Sequence, residues 1–120
     1  MLKKILVIGA SENPARYSFM AVNRLLMSGY EVIAVGVKKG KIREVNIITE
    51  MNAVEAVHTV TLYINPIHQE AYYDAILKLK PQRVIFNPGA ENPDFEEQLQ
   101  KAGIETVQAC TLVMLSTGQF

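Results

Sequence analysis

The pattern that most constrains this chain is a short apolar run followed by a helix-forming segment, repeated along its length. Lys3 to Gly9 (KKILVIG) is a continuous run rich in β-branched residues, as expected of a strand buried on both faces. Glu31 to Val37, His58 to Ile64, Arg83 to Phe86 and Ile104 to Val107 read as four further strands. The segments between them carry helix starts and stops. Phe19, Val22, Leu25 and Leu26 fall on one helical face that ends at Ser28-Gly29, where glycine supplies a left-handed cap. Asn65-Pro66 and Asn92-Pro93 each set a capping side chain before a proline at the first helical position. Ile67, Ala71, Ala75, Ile76 and Leu79 form the expected buried stripe of the first of these helices. Asp94, Glu96 and Glu97 suit the dipole at the start of the second, and Lys101-Ala102-Gly103 closes it. Thr111 is expected to begin a short last helix. Residues 40–57 break the rhythm: an edge strand or a loop fits 41–49, a helical turn fits 51–57, and the stretch reads as an irregular crossover.

Strands alternating with helices through right-handed crossovers define an α/β fold. The expectation is a Rossmann-like, doubly wound parallel sheet of about five strands, order 3-2-1-4-5, in three αβα layers. Residues 1–120 then make one domain, long enough to bury roughly two-thirds of its unfolded surface without metal or disulfide. Such sheets bind ligands outside the carboxyl ends of their strands, where the strand order reverses, here between the first and fourth strands. The loops after Gly9, Val37, Ile64 and Phe86 are therefore where chemistry is expected.

Charge narrows the ligand class. The 12 basic and 12 acidic residues cancel, which removes the global positive field of a nucleic-acid binder. Residues 1–43 nevertheless hold eight Lys/Arg against two Glu, net +6, and residues 44–120 hold four against ten acids, net −6. One cysteine, Cys110, excludes an internal disulfide and cannot alone make a structural zinc site. No apolar run approaches the roughly 20 residues of a membrane span, and the first residues are too short an apolar stretch for a signal peptide. A soluble cytoplasmic protein with a small-molecule nucleotide ligand, and neither nucleic acid nor membrane as partner, is the expectation.

Gly9-Ala10-Ser11 opens a loop leading into a helix, the usual seat of a phosphate. Gly9 lets the backbone turn closely, the Ser11 hydroxyl and main-chain N–H groups can donate to anionic oxygens, and Arg16 adds a planar charged fork. The run lacks the second and third glycines of G-x-G-x-x-G, so a plain strand-to-helix turn with Ser11 or Asn13 as a local cap fits equally well. After the second strand, Val37-Lys38-Lys39-Gly40-Lys41 carries lysines where an NAD enzyme has a carboxylate for the ribose. Lysines there favour a ribose bearing an extra phosphate, as in NADP or coenzyme A. Asn65-Pro66 and Asn87-Pro88-Gly89 are sound turn and capping chemistry, and their amides also suit a nucleotide pocket. No acid, base or nucleophile constellation is evident: Ser11 lacks the G-x-S-x-G elbow, His58 and His68 have no local acid, and Cys110 reads best as a small buried hydrophobe.

The stretch Gly9-Ala10-Ser11-x-Asn13-Pro14-x-Arg16-Tyr17-Ser18, followed by Gly29-Tyr30-x-Val32 and the lysine turn, resembles the small stand-alone coenzyme A-binding proteins. These are similar to the coenzyme A-binding domain of the succinyl-CoA synthetase alpha subunit and of ADP-forming acyl-CoA synthetases. The resemblance covers essentially the whole chain. It implies that the first loop, Gly9, Ala10, Ser11, Asn13, Pro14, Arg16, Tyr17 and Ser18, holds the phosphates of coenzyme A or an acyl-CoA. Lys38 and Lys39 then face the ADP moiety, and Asn65, Pro66, Asn87, Pro88 and Gly89 complete the cleft. Many relatives carry Asn-Pro where this chain has Gly36-Val37, and Trp-x-Gln-x-Gly where it has Phe86-Asn87-Pro88-Gly89. The synthetases' phosphohistidine and nucleotide-grasp domains have no room in 120 residues, so the resemblance implies binding without catalysis, alone, as a homodimer or beside a partner enzyme subunit. An NADP-binding oxidoreductase or nucleotide sensor, and an interaction domain with a vestigial cleft, are the competing readings.

Overall fold

The computed structural model describes residues 3–120 and contains one seven-stranded sheet flanked by helices on both faces. The strands are β1 (Lys4–Ile8), β2 (Glu31–Val35), β3 (Gly40–Ile42), β4 (Val45–Ile48), β5 (Thr59–Leu62), β6 (Arg83–Phe86) and β7 (Glu105–Gln108). Their order is β3-β4-β2-β1-β5-β6-β7, parallel throughout except for the β3–β4 hairpin. The α/β Rossmann-like class is as expected; the assignment of strands to places is corrected. The place outside β2 belongs to Val45–Ile48, within the stretch read as an irregular crossover. Residues 59–62 pair with β1 instead, in register Ile5↔Thr59 to Ile8↔Leu62. The order reversal thus falls between β1 and β5, and the loops that meet there are the expected ones.

The helices are α1 (Tyr17–Met27), α2 (Pro66–Gln69), α3 (Tyr73–Leu79), α4 (Pro93–Lys101) and α5 (Thr111–Ser116), with a single 3-10 turn over Glu70–Tyr72. In β1, Ile5, Leu6, Val7 and Ile8 are all fully buried and alternate between two cores. Ile5 and Val7 meet Val22 and Leu25 of α1, while Leu6 and Ile8 meet Ile76 of α3 and Phe95 and Leu99 of α4. A side chain so placed contributes about 1.5–3 kcal/mol of transfer free energy, which is why this run tolerates no polar residue.

The helix expected over 66–79 is broken. Ile76 is buried and Ala75 and Leu79 are half-buried, but Ile67 and Ala71 are exposed. Gln69 takes the interior instead: it is fully buried, and its Nε2 donates to the carbonyls of Ile64 (2.9 Å) and Ala90 (2.7 Å). Meeting both demands turns the chain through the 3-10 segment and rotates the apolar face before α3 begins. Residues 51–57 form a turn closed by Val54 N–H to the Met51 carbonyl, not a helix. Among the described residues no helix is long and apolar enough to cross a membrane.

Candidate functional site

The first loop folds on itself. Ser11 Oγ accepts from Asn13 N–H (3.1 Å), Asn13 Oδ1 accepts from Ala15 N–H (3.0 Å), and the Asn13 carbonyl accepts from Arg16 N–H (3.0 Å). Gly9 starts the turn at φ +95°, and a Cβ there would lie 2.9 Å from the Tyr63 carbonyl oxygen. Glycine is required at this position on both counts. The loop delivers the chain to α1 at Arg16, whose extended backbone (φ −84°, ψ 140°) precedes a helix with no side-chain cap and no acid in its first turn. The positive end of the α1 dipole is left uncompensated. At α4 the opposite holds: Asn92 Oδ1 accepts from Phe95 N–H (3.2 Å), and Asp94 and Glu96 stand in the first turn.

A cleft of about 740 Å3 opens at this end of the sheet. Of the residues singled out in the sequence, Gly9, Ala10, Ser11, Asn13, Arg16, Tyr17, Ser18, Lys38, Lys39, Asn65, Pro88 and Gly89 line it. Pro14, Pro66 and Asn87 do not. Pro14 and Pro66 are exposed beside the lining residues. Asn87 is 1% exposed and fully engaged: its Nδ2 donates to Thr61 Oγ1 (2.6 Å) and the Leu62 carbonyl (2.8 Å), and its Oδ1 accepts from Thr111 N–H (2.8 Å). Both of its N–H groups are committed, and the side chain is closed off from the cleft.

Glu12, Val37, Tyr63, Ile64 and Ala90 complete the wall and were not marked by the sequence. Apolar and main-chain wall carries no residue-type signal, and only the position of Tyr63 and Ile64 at a strand's carboxyl end pointed there. The Ile64 and Ala90 loops are joined beneath the cleft by Gln69. Its Oε1 accepts from Asn92 Nδ2 (3.0 Å), which also reaches the Tyr73 hydroxyl (2.7 Å). Tyr63 has a buried hydroxyl whose approaches to neighbouring Thr61 and Thr111 lack hydrogen-bond geometry. Those two hydroxyls are 2.8 Å apart and bonded to each other. Burial pushes the Tyr63 phenol up to about 12. Cys110 is half-buried rather than enclosed, at the residue preceding α5.

The electrostatics of the cleft are uneven. One side holds Arg16, Lys38, Lys39 and the open end of α1, with Glu12 as the one acid among the lining residues; the other, Tyr63 to Asn65 and Pro88 to Ala90, has no ionised side chain. Such a cleft suits a ligand with an anionic head and an uncharged arm. Together the fold and the cleft define a Rossmann-like domain with a net cationic cleft at the carboxyl end of its sheet.

The chain belongs to the CoA binding domain family, whose model matches residues 3–116. The crystal structure of an uncharacterized protein, 52% identical, superimposes with a TM-score of 0.96 over 100% of this chain and 99% of that one. A Thermus thermophilus protein is 25% identical with a TM-score of 0.87, covering 99% of this chain and 91% of its own. A hypothetical protein from Pyrococcus horikoshii OT3, at 23% identity and a TM-score of 0.88, covers 97% of this chain and 83% of its own and shares the fold. No functionally curated protein matches the sequence.

Proposed function

We propose that this chain is a single cytoplasmic domain that binds coenzyme A or an acyl-CoA in the cleft between β1 and β5, without catalysis of its own. Membership of the CoA binding domain family supports the ligand class. The observation that carries the placement is the grouping of Arg16, Lys38, Lys39 and the uncapped start of α1 on one side of a cleft whose other side is uncharged. In this reading the first loop and α1 take the pyrophosphate through N–H groups, the Ser11 hydroxyl and Arg16. Lys38 and Lys39 take the phosphate on the ribose, and the uncharged side, with Asn65, receives the pantetheine arm and its amides. A homodimer or a partner enzyme subunit is compatible with this role.

Calorimetry with coenzyme A, dephospho-coenzyme A, NADP and NAD tests the reading. Coenzyme A should bind tightest and dephospho-coenzyme A more weakly, because it lacks the phosphate assigned to the lysines. Preference for NADP would instead favour an oxidoreductase or sensor, and no binding of any of the four would favour an interaction domain. Arg16→Ala and Lys39→Ala should each weaken coenzyme A binding by about 1–3 kcal/mol, the range for charge-assisted contacts. Unchanged affinity in both variants would remove the assignment of this side of the cleft.

A further inference from the structure

An acid in a cleft that takes an anion opposes its own ligand, and Glu12 lines this one beside Arg16, Lys38 and Lys39. Its Oε2 accepts a hydrogen bond from the main-chain N–H of Lys41 at 2.9 Å. The Glu12 side chain lies directly over Gly40, so that a Cβ at residue 40 would fall 2.4 Å from Glu12 Cγ and Cδ. Gly40 is not in the left-handed region, so its backbone admits any residue, and it is the Glu12 side chain that would have to move to make room for one.

Lys38 and Lys39 stand on the short connection between β2 and β3, both exposed and neither in an ion pair among the described residues. Nothing but the backbone beneath them sets where their charges lie. That backbone is pinned at its start by Gly36 N–H to the Ile48 carbonyl (2.9 Å) and at its far side by Glu12 to Lys41 N–H. The hairpin meets the α1 layer at a second point, where Arg43 Nε donates to Asn23 Oδ1.

We propose that Glu12 is a positioning residue, a strap from the first loop that holds the Lys38–Lys39 connection at a fixed distance from Arg16 and the start of α1. This rests on the reading of the cleft as a site for a phosphorylated nucleotide. The strap sets the spacing between two groups of cations, and hence the spacing of ligand phosphates that both can meet. Its own negative charge is tolerated because one carboxylate oxygen is committed to the main chain of Lys41.

The incidental and positioning accounts of Glu12 differ in sign. Removing an incidental acid strengthens anion binding, since a like charge leaves the cleft; removing a strap weakens it, since the lysines are no longer held. Glu12→Gln keeps an acceptor oxygen for Lys41 N–H and drops the charge, whereas Glu12→Ala drops both. Gly40→Ala leaves Glu12 in the sequence but displaces its side chain. With coenzyme A as the calorimetric probe, Glu12→Gln should bind as tightly as the parent or more so. Glu12→Ala and Gly40→Ala should each bind roughly fivefold more weakly, the equivalent of one ordinary hydrogen bond. Alanine binding as tightly as the parent, or glutamine failing to rescue, overturns the proposal. Hydrogen exchange at the Lys41 amide gives a readout that needs no ligand. It should quicken in Glu12→Ala and Gly40→Ala but not in Glu12→Gln, with the β1 amides unchanged as a control. If the parent binds no coenzyme A, the ligand assignment fails while this exchange pattern still decides the strap; an unchanged Lys41 rate overturns it.

Discussion

Asn87-Pro88 follows β6 directly and Asn65-Pro66 follows β5 after Tyr63-Ile64, so two neighbouring parallel strands deliver the same dipeptide to the carboxyl end of the sheet. Asn65 is exposed, lines the cleft, and spends its Oδ1 on His68 N–H at 3.3 Å, the cap of α2. Asn87 is enclosed because α5 returns across the carboxyl end of β6. Thr111, at the start of α5, donates its main-chain N–H to Asn87 and shares a hydroxyl–hydroxyl hydrogen bond with Thr61. The start of the returning helix, bonded to both β5 and β6, turns one asparagine into a structural clamp, while Asn65, carried past the end of β5 by Tyr63-Ile64, faces the cleft instead. A residue's chemistry at a strand end is thus decided by what the chain later lays over it.

The largest effect should come from breaking the enclosed partner. Asn87→Ala leaves the Thr111 N–H and the Leu62 carbonyl without partners in a dry interior and should cost about 2–4 kcal/mol in denaturant unfolding. Loss of less than half that would mean water replaces the amide and the clamp is not closed. Asn65→Ala removes one cap from an exposed, four-residue helix and should cost about 1 kcal/mol. If the two asparagines matter to stability in the reverse order, the contrast drawn from their burial is wrong. The most local effect concerns Tyr63, the residue directly after β5. The folded protein holds its phenolic proton to about pH 12, while the unfolded chain releases it near its ordinary value of 10. Over that window the unfolded state binds fewer protons, so stability should fall as pH rises from 10 and be fully present below 10. Tyr63→Phe discards a hydroxyl with no partner and should flatten this alkaline loss with no decrease in stability at neutral pH. An alkaline unfolding curve that is the same in both proteins would show the phenol to be solvated.

Much of this architecture is written in local pattern. β1, β2, β5 and β6 are buried on both faces, and burial of that kind demands an apolar run visible in any window. The hairpin over 40–48 was opaque because it demands little. It lies at the sheet margin, Lys41 and Asn46 are exposed, and its two-residue turn uses Arg43 at φ +52° where glycine or asparagine would have announced it. Missing that hairpin displaced residues 59–62 from their true place beside β1. The break near Gln69 was hidden for another reason: a glutamine joining two loops through their carbonyls reads as an ordinary solvent-facing residue until both loops are in place. At the cleft, charged and glycine residues were legible by type and position. Val37, Ile64 and Ala90 were not, because their contribution is shape, and Glu12 was not, because its partner is a main-chain group 29 residues away.

The close approach of Gly36 to the first loop has a consequence for how this cleft can change over generations. A Cβ at residue 36 would stand 2.3 Å from the Ala10 carbonyl oxygen, although the backbone at 36 is not left-handed and would accept any side chain on its own account. Position 36 and the Ala10 turn therefore cannot drift separately. A lineage that acquires a larger residue after β2 must reshape the loop after β1 in the same step or just before it, and substitutions that are harmful singly become acceptable as a pair. Variation in this cleft should accordingly arrive in linked sets of residues, and grafting one relative's second loop onto another's first should fail more often than exchanging both.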